Sequence, residues 1–326
     1  MSEQKIKKIG ILTSGGDAPG MNGVIRAVTR SGINSGLQVM GIRRGYHGLC
    51  KGEFIELNAR SVSEKLQQGG TFLNTARSEE FMTEAGLAQA VKMTQVFDLD
   101  GLVCCGGDGT MKGAIALAEA GVTTMFIPAT IDNDVGCTDY TIGFDTALNT
   151  AIEAVDKLRD TASSHERCSV IEVMGREAGY LALHVGIATG AEIILIPEHP
   201  VNREKDILGK ILSARNRGKH HYIVIVAEGA PDNSIEIAAY IEKETQIEAR
   251  ATVLGYLQRG GTPTYLDRYM ASMMGIKAVE CMHALSGSRA IVYQNGQVLD
   301  RDLIESSKMK KTIDEVEFQQ AKILSI

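Results

Sequence analysis

The chain has 326 residues, enough to bury a sizeable core and to form two domains or one large α/β domain. Hydrophobic residues make up 44% and charged residues 23%, which excludes a disordered or fibrous chain, and a net charge of −6 without a dense Lys/Arg run argues against a nucleic-acid surface. Six cysteines without metal-ligand spacing, a polar and basic stretch at 1–8, and the lack of any apolar run of membrane-spanning length point to a cytoplasmic protein with no membrane partner.

Residues 8–13 read as a buried strand, and Ser14-Gly15-Gly16-Asp17-Ala18-Pro19-Gly20 turns it into a helix with Met21, Val24, Ile25 and Val28 on its apolar face. Glycines there let backbone N–H groups approach phosphate oxygens, and a helix N-terminus favours negative charge. The turn lacks the Lys-Ser/Thr ending of a Walker loop and the spacing of a dinucleotide fingerprint. Arg26 and Arg30, four apart on that helix, share one face. A strand over 37–42, a glycine-rich loop around Gly45, Gly48 and Gly52, a short strand over 54–57 and a helix over 84–99 follow.

A second strand-turn-helix unit begins with the apolar run 102–105 and opens through Gly106-Gly107-Asp108-Gly109-Thr110 into a helix over 110–120. A lone Asp among such glycines can hold a hard cation such as Mg²⁺. The next strand, 122–128, delivers Thr130, Ile131, Asp132, Asn133 and Asp134 to the carboxyl edge of the sheet, where open α/β folds bind ligands. One of these carboxylates could serve a metal-bound phosphate and another accept a proton from an attacking hydroxyl; the simpler alternative is an Asx-rich turn. Beyond 141, Phe144, Leu148, Ala151, Ile152, Val155 and Leu158 form the core stripe of a helix.

Arg159, Arg167 and Arg176 surround a strand over 169–173, and Glu192 precedes another over 193–196. A helix over 211–218 ends in Arg215, Arg217 and Lys219, which the helix dipole alone would explain. Glu228 closes a strand over 222–227, Arg250 lies in one over 249–254, and a helix over 265–285, two short strands near 290 and 298 and a mixed tail complete the chain. The repeated βα alternation predicts an α/β protein with parallel sheets.

Taken together, Thr13-Ser14-Gly15-Gly16-Asp17-Ala18-Pro19-Gly20-Met21-Asn22, the two blocks around Asp108 and Asp132, Met174-Gly175-Arg176 and Gln258-Arg259-Gly260-Gly261 closely resemble bacterial ATP-dependent 6-phosphofructokinase almost end to end. The resemblance implies two Rossmann-like three-layer α/β/α domains facing a cleft, with 1–142 plus 258–308 binding ATP and 143–257 plus 309–326 binding fructose 6-phosphate. It implies transfer of the ATP γ-phosphoryl group to the sugar's 1-hydroxyl, with Asp132 as base, Asp108 holding Mg²⁺, and Thr130, Asp134 and Arg176 completing the catalytic set. ATP would be met by Gly16, Arg77, Ser78, Gly107, Asp108, Gly109 and Thr110. Thr130, Ile131, Asp132, Arg167, Met174, Gly175, Arg176, Glu228, Arg250, Tyr256, Leu257, Gln258 and Arg259 would meet the sugar phosphate, Arg167 from a neighbouring subunit and Arg250 with Arg259 as a clamp on its 6-phosphate. An effector site for ADP or phosphoenolpyruvate would use Arg26, Arg30, Arg159, Glu192, Arg217 and Lys219 in a homotetramer.

Some positions depart from that pattern. Ser78 stands where many relatives have an aromatic residue, Tyr256 where His is common, Ala129 where ATP users generally have Gly, and Ala59 where several allosteric relatives have Arg. A pyrophosphate-dependent relative would carry Asp at 109 and Lys at 129, and this chain has neither. A NAD or lipid kinase shares only the GGDGT block, and a catalytically silent nucleotide-sensing paralogue would not need Asp108, Asp132 and Arg176.

Overall fold

The structure is a computed structural model describing residues 6–324. In chain order it forms β1 Lys8–Thr13, α1 Met21–Asn34, β2 Gln38–Ile42, α2 Gly45–Lys51, β3 Phe54–Leu57, α3 Glu84–Val96, β4 Gly101–Gly106, α4 Asp108–Glu119, β5 Thr124–Pro128 and α5 Phe144–His165. There follow β6 Cys168–Val173, α6 Tyr180–Thr189, β7 Ile193–Leu195, α7 Gly209–Asn216, β8 Tyr222–Ala227, α8 Ser234–Thr245, β9 Ala249–Val253, α9 Tyr265–His283, β10 Arg289–Gln294, β11 Gln297–Asp302, α10 Leu303–Ser307 and α11 Glu315–Leu324. Two compact units result, one of residues up to 146 with 259–311, the other of 147–258 with residues from 312 onward.

The first unit is built on a seven-stranded sheet in the order β11-β10-β5-β4-β1-β2-β3. Only its edges, β3 and β11, run antiparallel to their neighbours. All six residues of β4 are buried, as a strand covered on both faces requires, and this is why Gly-Leu-Val-Cys-Cys-Gly shows no polar alternation. β1 pairs with β2 on one side and β4 on the other, so the chain reverses its direction across the sheet between β1 and β4. The carboxyl ends of those strands are therefore the topological switch point, where an open sheet leaves a crevice for ligands.

The second unit carries a four-stranded parallel sheet, β7-β8-β6-β9. Its core gathers Val170, Ile193, Tyr222, Val224 and Val226 from the strands with Ile207, Ile211, Ile237 and Ile241 from the helices over them. α8 begins with a capping box between Asn233 and Glu236.

Residues 45–51 form a helix, not the glycine-rich loop expected. Tyr46, Leu49 and Cys50 are its buried stripe at helical spacing, which the flanking glycines mask in the sequence. Arg44 (φ 56°) and Gly52 (φ 73°) bound it in left-handed conformation. Tyr46 stacks on Phe81 with 4.3 Å between ring centroids and donates to Thr110 O at 2.6 Å, bracing the start of α4. The tail likewise resolves into α10 and α11. No helix among the described residues is long and apolar enough to cross a membrane.

Gly106 is fixed by space. A Cβ there would lie 2.2 Å from Thr110 Oγ1 and 2.3 Å from Ser14 O, whereas a Cβ on Gly109 would meet nothing within 4 Å. Gly106→Ala should cost about 1–3 kcal/mol in chemical denaturation, and Gly109→Ala should stay within about 0.5 kcal/mol of the parent; equal stabilities for both variants would contradict this packing.

Candidate active site

The ends of β1 and β4 are bonded to each other. Ser14 N–H donates to Cys105 O at 3.0 Å and Thr110 Oγ1 donates to Ser14 O at 3.0 Å, holding the 14–17 turn against the first turn of α4. Gly20 and Gly107 are the N-caps of α1 and α4, and neither helix receives a side-chain cap, whereas Thr83, Asn233 and Thr264 cap α3, α8 and α9. The uncapped N-terminus of α4 and the exposed Gly15–Gly16 turn thus present backbone N–H groups at the switch point, the arrangement that binds phosphate. Gly15, Gly16, Asp108 and Gly109 are exposed there, and Thr110 is buried beneath them.

The 68–77 loop is tied to the same place. Buried Asn22 donates through Nδ2 to Gln68 O (3.0 Å) and Gly69 O (3.1 Å) and accepts Phe72 N–H (2.9 Å), while Thr75 Oγ1 donates to Gly15 O at 2.6 Å. Arg77 is exposed on this loop. The Ser78 hydroxyl accepts Phe81 N–H at 3.2 Å, so its side chain serves a turn. Arg259 extends its guanidinium over Gly16, with Nη1 donating to Asp17 O at 3.2 Å. Asn22 had no role assigned from sequence; an amide inside an apolar helix face was the available signal.

Beyond β5, Thr130 and Asp132 are both buried and paired, with Thr130 Oγ1 donating to Asp132 Oδ2 at 3.1 Å and accepting Asp132 N–H at 3.2 Å. Gly107 lies beside Thr130, since a Cβ on Gly107 would be 3.5 Å from Thr130 Cβ. Asn133 adopts φ 52°, and its Oδ1 accepts Thr141 N–H at 3.1 Å. Ile131 is wholly buried and Asp134 half-buried. Lys311, unassigned from sequence, donates to Asp139 O at 3.0 Å; burial pushes its amine down to about 8 against the opposing pull of Asp139 and Asp134. Ala129 is wholly buried and bridges to Ile142, so its methyl is packing.

In the second unit, three strand ends converge. Glu228 follows β8 and accepts Gly175 N–H (3.1 Å) and Arg176 N–H (2.6 Å) on Oε1, and Gln258 Oε1 accepts Met174 N–H at 3.3 Å. These bonds hold Arg176 at φ 56°, a left-handed conformation that costs a non-glycine residue on the order of 1 kcal/mol. Tyr256, 83% exposed, and Leu257 stand out from the turn preceding Gln258.

Arg167 and Arg250 lie at the opposite, amino ends of β6 and β9. Arg250 pairs in register with Ser169, and Glu248 bridges it to Arg167 through bonds of 2.6 Å to Arg167 Nε and 2.9 Å to Arg250 Nε. The Arg167 bond, then the Arg250 bond, hold the Glu248 carboxyl below its usual range. Arg250 therefore belongs with Arg167, and the length of β9 separates it from Tyr256 and Gln258. The i, i+2 spacing of Glu248 and Arg250 was the sequence signal for this bridge.

The expected effector residues fall into two groups, each within one unit. Arg26 and Arg30 are neighbours on α1, where partial burial and then Arg30 lower Arg26. In the second unit buried Glu192 accepts Lys219 Nζ and Ile223 N–H, the latter at 2.6 Å, and Arg159 Nη2 donates to Thr189 O. His221, assigned no role from sequence, is pushed down by burial and then by Lys219, with Glu192 opposing and Arg159 adding. Arg159, Glu192 and Lys219 thus all act electrostatically on one imidazole. Arg217 is exposed at the end of α7, donating to Ser213 Oγ at 2.7 Å.

Residues 8–282 match the protein-family model described as phosphofructokinase. The ATP-dependent 6-phosphofructokinase of Clostridium botulinum (strain Loch Maree / Type A3) is 50% identical over 320 residues, covering 98% of this chain and 100% of the relative. Among solved structures, Pichia pastoris phosphofructokinase in the T-state superposes with a TM-score of 0.88 at 39% identity, covering 94% of this chain and 36% of that longer one. A pyrophosphate-dependent phosphofructokinase from Marinobacter aquaeolei shares the fold, with a TM-score of 0.83 at 23% identity over 95% of this chain and 86% of that one. With a family model matched over most of its length and a relative half identical from end to end, the chain belongs to the phosphofructokinase family.

Proposed function

We propose that the protein transfers the γ-phosphoryl group of ATP to the 1-hydroxyl of fructose 6-phosphate, giving fructose 1,6-bisphosphate and ADP, in glycolysis. The observation that carries this reading is the uncapped N-terminus of α4 with the exposed Gly15–Gly16 turn at the β1/β4 switch point, beside the buried Thr130–Asp132 pair. Such a site positions phosphates and a general base, which is most of what phosphoryl transfer asks of a protein. The half-identical relatives named for the ATP-dependent reaction support the donor, and Gly109 and Ala129 give no support to pyrophosphate.

Gly16, Arg77, Ser78 and Gly107 to Thr110 are assigned to ATP in the first unit. Asp108 suits Mg²⁺: its carboxylate is exposed at the α4 N-terminus, and no cluster of three metal-ligating side chains exists among the described residues. Mg²⁺ typically takes one or two carboxylates and completes its shell with phosphates and water. When bound it would neutralise phosphate charge. Asp132 accepts the proton of the attacking hydroxyl, Thr130 orients that carboxylate, Asp134 adds its charge nearby, and Arg176 offsets charge on the group in transfer.

Met174, Gly175, Glu228, Tyr256, Leu257, Gln258 and Arg259, with Ile131, are assigned to the sugar phosphate. Glu228 keeps Oε2 for a sugar hydroxyl while Oε1 holds the 175–176 backbone. Arg167 and Arg250, at the far end of their strands, are assigned to the sugar phosphate of a neighbouring copy, which fits a homotetramer. Six buried free cysteines fit a reducing cytoplasm.

ADP or phosphoenolpyruvate is the proposed effector of Arg26, Arg30, Arg159, Glu192, Arg217 and Lys219. Asp132→Asn should lower kcat by about 10² or more with substrate affinities largely kept, as loss of a general base would; near-parental turnover in steady-state assays would remove the base assignment. Arg159→Ala should abolish effector-induced shifts in fructose 6-phosphate saturation with kcat nearly unchanged. Equal shifts in the variant and parent would take Arg159 out of that site.

A further inference from the structure

Asp267, in the first turn of α9, is wholly buried, yet its carboxylate turns away from its own helix. Oδ1 accepts the Tyr140 hydroxyl (2.5 Å) and Gly143 N–H (2.5 Å), and Oδ2 accepts Thr146 N–H (2.9 Å) and the Thr146 hydroxyl (2.5 Å). Thr146 Oγ1 accepts Thr264 N–H in turn at 3.1 Å. Burial raises the Asp267 carboxyl pKa, and bonds from Thr146, Tyr140 and Gly143 pull against that rise.

The segment so held, 140–146, has a second attachment. Thr141 Oγ1 donates to Thr130 O at 2.6 Å, Thr141 N–H to Asn133 Oδ1 at 3.1 Å, and Ile142 N–H to Pro128 O at 3.1 Å, with Ile142 bridged to Ala129. Residues 140, 143 and 146 thus bind Asp267, while 141 and 142 bind the strand end that carries Thr130 and Asp132. The phosphate turn leans on the same point, since a Cβ on Gly20 would lie 2.5 Å from Ile142 Cγ2 and 3.6 Å from Asp267 Cβ.

We propose that Asp267 is a positioning residue for phosphoryl transfer, its four accepted hydrogen bonds setting segment 140–146 so that Thr141 and Ile142 fix Thr130 and Asp132 in reacting geometry. This rests on Asp132 as the base. Only a carboxylate suits the site: four donors converge on two oxygens, and an amide would turn an NH₂ toward two of them. A simple fold staple would lower melting temperature on removal and leave turnover of the folded enzyme unchanged.

The test measures kcat and both KM values for Asp267→Asn, Thr146→Val, Thr146→Ser and Asp132→Asn, with melting curves, at a temperature where each variant is folded. Misplacement of reacting groups by as little as 1 Å can cost 10²-fold, so Asp267→Asn should lose about 10- to 10²-fold in kcat with both KM values within about threefold. Thr146→Val should lose kcat in the same direction by about three- to tenfold, and Thr146→Ser, which keeps the hydroxyl, should stay within about twofold. Parental kcat in folded Asp267→Asn or Thr146→Val, or a Ser variant as poor as Val, overturns the inference. If Asp267→Asn does not fold, the Val and Ser pair decides. Parental kcat in Asp132→Asn removes the base assignment and this inference with it, whereas loss there with parental Asp267→Asn removes only the inference.

Discussion

The contact on which the first unit's chemistry depends is the one between the end of β1 and the end of β4. Ser14 gives its N–H to Cys105 and takes the Thr110 hydroxyl on its carbonyl, and the approach is so close that Gly106 leaves no room for a side chain. Because the strand order reverses between these strands, the helices that follow them, α1 and α4, begin at the same crevice. The uncapped first turn of α4 and the exposed Gly15–Gly16 turn ahead of α1 create an anionic ligand's environment in a chain whose net charge is −6. Backbone dipoles supply locally what overall charge does not.

Within each unit, polar side chains fix the loops. Asn22 spends both donor and acceptor on the 68–72 backbone, Thr141 and Asn133 shape the Asp132 turn, and Glu228 and Gln258 hold the Met174–Arg176 backbone in the second unit. Each bonds to backbone groups, and each removes freedom from a loop that presents functional groups.

Much of this was legible in the sequence. β1 and β8 begin and end where their apolar runs do, because a parallel strand buried on both faces leaves an unbroken signal. The Gly-rich turns and the Thr130–Asp134 block stand at strand ends, as the alternation of strands and helices demanded. α2 was not legible, since three glycines conceal a stripe that only Phe81 and Thr110 make into core. Nor was the grouping of the arginines. The register of β9 on β6 sends Arg250 to Arg167 and Glu248, a long-range pairing that no local pattern encodes. Ala129 and Ser78, which stood out as departures, turn out to be occupied by packing and by a turn.

The central claim is phosphoryl transfer from ATP to fructose 6-phosphate, and the most direct measurement is a product-detected assay that crosses ATP, GTP and pyrophosphate, each with Mg²⁺, against fructose 6-phosphate and related hexose phosphates. The account predicts fructose 1,6-bisphosphate and ADP, with kcat/KM for ATP well above that for pyrophosphate. A higher kcat/KM with pyrophosphate, or no transfer from ATP to fructose 6-phosphate, would contradict it.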